Sequence, residues 1–156
     1  MSKQLFVNAI NVKHTGDVLK NSLDFVTYLD ENEISFSEGD FCWTASYRNE
    51  AVFYIKIGGF DNETNEFIIW SADDYNSEIA LAKADEQLKE FAWINISPCG
   101  SCGGKCSPGR SVEVFGKAFD KVCHSALIFI NPDIKAIENL KKLAEIRKTN
   151  ITANTG

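Results

Sequence analysis

The chain has 156 residues, 44% of them hydrophobic and 24% charged, and its 11 Phe, 4 Tyr and 3 Trp supply the bulk of a real core. That composition excludes a largely disordered protein and argues against two full domains. The net charge of −6 is uneven: residues 1–98 carry 7 Lys and Arg against 17 Asp and Glu, whereas residues 99–156 carry 9 against 5. An acidic surface repels phosphate, so nucleic-acid binding is disfavoured, and the two oppositely charged segments are expected to attract each other.

Met1 to His14 is interrupted by Asn8, Asn11 and Lys13 and has neither the apolar stretch nor the cleavage site of a signal peptide. No run approaches the roughly 18 apolar residues of a membrane helix, so a soluble cytoplasmic protein is expected. Asp17 to Asn32 reads as a helix, with Val18, Leu19, Leu23, Val26 and Leu29 at helical spacing. After a break at Ser37 to Asp40, Phe41, Trp43, Ala45 and Tyr47 alternate as a half-buried strand does. Arg48-Asn49-Glu50 turns the chain into a second strand, Ala51 to Ile57, which pairs most economically as an antiparallel hairpin.

Beyond the polar loop Asp61 to Asn65, Glu66 to Ala72 is apolar on both faces and is expected to be central or covered. Asp73-Asp74 offers a cap for one helix running to about Phe91. Trp93 to Ile96, Ser111 to Phe115 and Ser125 to Ile130 are strand candidates. Asn131-Pro132-Asp133 starts a last helix whose negative end suits Arg147-Lys148. Thr149 to Gly156 reads as a flexible polar tail. The expected architecture is a single α+β domain over residues 1–148: a helix-plus-sheet core to residue 98, then a Cys-rich loop, strands and a helix. An antiparallel sheet packs with about three helices, and a four-cysteine metal site staples the carboxy-terminal lobe.

That site is the strongest chemical signal in the chain. Cys99 and Cys102 form a C-x2-C knuckle, Cys106 follows, and Cys123 completes a set of four thiolates, the full donor set of structural zinc. Gly100, Gly103 and Gly104 allow the backbone to curl closely around an ion. Four thiolates on a divalent ion leave a negative site, which Lys105, Arg110, Lys117 and Lys121 lie close enough in sequence to neutralise. His124 competes with Cys123 as fourth ligand, and an iron-sulfur cluster is the alternative cofactor. Cys42, between Phe41 and Trp43, reads as an inert thiol. His14 reads as a surface or cap residue, Asp73-Asp74 as a solvated helix end. The aromatic faces around Trp43 and Trp70 offer a groove for an apolar small molecule if no helix covers them.

From Phe91 to Lys148 these features, namely Phe91 to Trp93, Pro98-Cys99, Gly116 to Cys123 and Asn131 to Asp133, resemble an uncharacterised bacterial family with a C-terminal Cys-rich segment. The amino-terminal part is loosely similar to small α+β modules of the iron-chaperone or YdhG-like type. The resemblance implies that the four cysteines act as one site, and it brings no activity with it. No catalytic signature names a reaction. The sequence therefore reads as a zinc-binding, non-enzymatic binding or interaction module whose partner is an unidentified protein or small molecule. The alternative is a thiol- or metal-dependent redox or sensor enzyme that uses the cluster reactively.

Overall fold

The computed structural model describes residues 2–58, 65–99 and 109–155. Their elements are α1 (Ser2–Lys13), α2 (Gly16–Glu31), β1 (Ser35–Glu38), β2 (Trp43–Tyr47), β3 (Glu50–Ile57), β4 (Phe67–Ser71), α3 (Glu78–Lys83), α4 (Glu86–Trp93), β5 (Ile96–Pro98), β6 (Arg110–Val114), β7 (Lys117–Ile130) and α5 (Ile134–Thr155). The strands make one antiparallel sheet in the order β1-β2-β3-β4-β7-β5, with β6 also on β7, and the class is α+β. None of these helices is long and apolar enough to cross a membrane.

Alternation sets the sheet's two faces. Trp43, Ile55, Ile69 and Phe129 stand side by side across four strands and are buried in the main core. Burying each such side chain is worth about 2 kcal/mol. Phe6 of α1 stacks on Trp43 with centroids 4.8 Å apart, and Phe25 of α2 meets Phe53 at 5.6 Å. The opposite row is Thr44, Tyr54, Trp70 and Ile128. β4 lies between β3 and β7 and is buried at every position, which is why its sequence is apolar on both faces. The β2–β3 hairpin turns on Arg48 and Asn49, both at positive φ (51° and 67°), the geometry whose twist matches that of the strands.

Several elements differ from the sequence expectation, each for a local reason. α1 was not foreseen because its apolar residues do not share one stripe: Phe6 and Ile10 are buried, while Leu5 and Val12 face outward. The single helix expected from Asp73 to Phe91 is two, because Ala84 is extended and Asp85 caps α4 by accepting the Leu88 amide at 2.8 Å. Trp93 closes α4 instead of opening a strand, and β7 starts at Lys117, well ahead of Ser125. The expected polar tail is helical through Thr155: Ile151 is buried and continues the apolar face of Ile137, Leu140 and Ala144. Arg147 accordingly sits inside α5, where its Nε donates to the Ala51 carbonyl at 2.9 Å.

Candidate functional site

β5 and β6 meet β7 at the same residue, since Pro98 and Arg110 both pair with Val122. Cys99 directly follows β5, and its amide donates to the Lys121 carbonyl at 2.8 Å. Lys121 has a φ of +57°, which kinks β7 at this point. Gly109 precedes β6 at a φ of +94°, and a Cβ there would lie 2.6 Å from the Cys99 Cβ, 2.7 Å from the Val122 carbonyl oxygen and 2.8 Å from the Lys121 carbonyl carbon. Cys99 and Gly109 therefore touch, and they close a neck between the end of β5 and the start of β6.

Cys123 lies two positions along β7 from Lys121, so Cys99, just past the end of β5, is hydrogen-bonded to the strand that carries Cys123. Cys102 and Cys106, with Gly100, Gly103, Gly104 and Lys105, lie outside the described residues. Among the described residues no group of three His, Cys, Asp or Glu could hold a metal, and two of the four expected thiols are not among them. Both described cysteines are half-buried, and Cys99 lies at a neck that leaves no room for a Cβ on Gly109. His124 is exposed where Cys123 is half-buried, as alternation along a strand requires.

Of the cations expected around the cysteines, Arg110 and Lys117 have specific partners, and Lys105 lies outside the described residues. Arg110 grips Asp74 with two bonds, Nη1 to Oδ2 at 3.0 Å and Nη2 to Oδ1 at 2.7 Å. The same guanidinium donates to the His124 carbonyl at 2.8 Å and to the Cys123 carbonyl at 3.3 Å. The bonds to Asp74 raise the Arg110 pKa, against the opposing effect of burial. Arg110 is thus a fastener between the loop before α3 and the backbone of β7. Lys117 lies over the Trp93 ring at 5.1 Å. Asp74 is no helix cap; Ser77 caps α3 by accepting the Ala80 amide at 3.1 Å.

Asp73 and Tyr75 flank this fastener, a cluster that no spacing rule would have found. Tyr75 is fully buried at a φ of +57° and stacks on Phe115, with centroids 5.6 Å apart and planes 14° apart. Its hydroxyl and the Asp73 Oδ2 are buried without a hydrogen-bond partner among the described residues, and Arg147 Nη1 stands 3.9 Å from that oxygen. Burial, then the neighbouring Asp73 carboxylate, holds the Tyr75 pKa well above its ordinary value. Tyr75→Phe should therefore stabilise the protein by about 1 kcal/mol in urea unfolding, because it removes a desolvated hydroxyl that gains nothing in return. Destabilisation instead would show that the hydroxyl is engaged.

The remaining candidates resolve as packing. Cys42 lies in the turn between β1 and β2, half-buried, and burial raises its pKa against the opposing effect of Lys56. A thiol held protonated is a poor nucleophile. His14 is buried, with its ring edge-on to Phe67 at 5.8 Å, so a surface position is corrected to a core one. Trp43 and Trp70 are 8% and 9% exposed, and neither lines a cavity described among these residues. No family model, curated protein or solved structure matches this chain.

Proposed function

We propose that the protein is a non-enzymatic binding or interaction module whose carboxy-terminal lobe is stapled to the sheet by a zinc ion held by Cys99, Cys102, Cys106 and Cys123. The observation that carries this reading is the closed neck: Cys99 touches Gly109 and hydrogen-bonds to β7 two residues from Cys123. Holding Cys99 and Gly109 together removes part of the closure entropy that ligands between them would otherwise lose on binding an ion. Four thiolates complete the shell of the ion, whose role is then folding energy and not chemistry. The resemblance read from the sequence between Phe91 and Lys148 implies only that the four cysteines act as one site. A reducing cytoplasm would keep the thiols available to metal.

Elemental analysis of protein purified under reducing conditions is expected to find about one zinc per chain. Cys102→Ser should lose the metal and melt well below the parent, because structural metal binding is folding free energy. Metal-free protein of normal stability would defeat the proposal, and visible absorbance with bound iron would assign an iron-sulfur cluster.

The alternative is a redox or sensor protein with reactive thiols. One observation favours it: the Arg110 guanidinium donates to the Cys123 carbonyl at 3.3 Å, which holds a cation at that cysteine's backbone. Alkylation of the native protein separates the two readings. Rapid labelling of one cluster cysteine without metal release supports the reactive one.

A further inference from the structure

A cleft of about 600 Å³ opens between α4 and the start of α5, and no described cysteine lines it. That volume lies within the usual range for small-molecule sites. The stacked rings of Phe91 and Phe129, 5.2 Å apart and 10° from parallel, stand at its wall. Ile94 and Ile130 flank it and are 82% and 50% exposed, so apolar surface faces the opening. The polar groups of the cleft divide into two kinds. Asn95 donates to the Phe91 carbonyl, Asn131 accepts from the Phe67 amide, and Asp133 caps the Ala136 amide, so all three are committed to backbone. Asn139 differs: it is only 5% exposed, it lines the cleft, and its carboxamide makes no hydrogen bond to any described residue.

A carboxamide that lines a cleft without a partner among the described residues presents a donor and an acceptor side by side, and the group that satisfies both at once is another amide edge. A flat apolar body suits the aromatic wall. Glu90 and Asp133 outnumber Lys135 in the lining, so the cleft carries a net negative charge that disfavours an anionic ligand. We propose that this cleft binds a small, neutral, flat molecule through an amide edge paired with Asn139.

Benzamide, with benzoate as its charged near-isostere, is the probe, and two-dimensional NMR of the nitrogen-15-labelled full chain is the readout. At millimolar benzamide, the Asn139 side-chain amide and the backbone amides of Ile94, Asn95 and Lys135 should shift together and saturably, and benzoate should move them far less. Asn139→Leu, close in volume, should weaken benzamide roughly tenfold, the loss expected for one amide pairing. Ile94→Ser, at an exposed position that folding does not need, should weaken it several-fold and keeps the test valid if Asn139→Leu misfolds. No saturable shift at the cleft, equal shifts with benzoate, or unchanged affinity in folded Asn139→Leu would each overturn the proposal.

Discussion

Gly109→Ala is expected to destabilise the protein by about 2–5 kcal/mol, combining a strained left-handed residue with overpacking of a closed contact. The added methyl would meet the Val122 carbonyl oxygen at 2.7 Å and the Lys121 carbonyl carbon at 2.8 Å, both backbone atoms of β7. A flexible side chain could move aside. The ladder cannot, because Val122 is paired on both sides, to Pro98 and to Arg110. Urea unfolding measures the loss, and a change below about 1 kcal/mol would show that the neck is open and that Cys99 and Gly109 do not touch. Repeating the measurement with a zinc chelator separates the neck from the metal. The destabilisation should persist without zinc, since the clash lies in the polypeptide itself.

The second large effect is expected at Asp74. Asp74→Ala leaves the Arg110 guanidinium two-thirds buried, at 33% side-chain exposure, without the carboxylate that takes two of its bonds. Removing one partner of a charged, doubly bonded pair typically costs about 3–5 kcal/mol when fully buried, and partial exposure lowers that to roughly 2 kcal/mol here. Asp74→Asn keeps one acceptor and should lose less. A double-mutant cycle with Arg110→Met gives the coupling directly, because the pair acts as one unit. If the losses for Asp74→Ala and Arg110→Met simply add, the contact does not fasten β7. Metal content measured on the same variants shows whether holding the Cys123 and His124 carbonyls also positions the cysteines.

What was legible in the sequence was whatever repeats at short range. The hairpin was readable because Trp43, Ala45 and Tyr47 alternate and two turn-forming residues follow. β4 announced its central place by being apolar on both faces. α2 and the start of α5 carried their stripes and their polar starts. α1 escaped because Leu5 and Val12, turned outward, blur the stripe that Phe6 and Ile10 make inward. The last turns of α5 escaped because Thr149, Asn150 and Thr152 are poor helix formers, and only burial of Ile151 offsets that preference.

By itself, then, the sequence determined the α+β class, the antiparallel hairpin and the four-thiol inventory, since composition, period and donor type are properties of residues close along the chain. The tertiary structure alone decided which groups meet. Asp74 finds Arg110 across 36 residues, and Cys99 finds Lys121 through a kink in β7. Tyr75 is sealed against Phe115, and Asn139 is left facing a cleft with its amide unclaimed. None of these has a local signature, because the partner of a buried polar group is chosen by the packing of whole elements, and its own neighbours in the chain do not encode it.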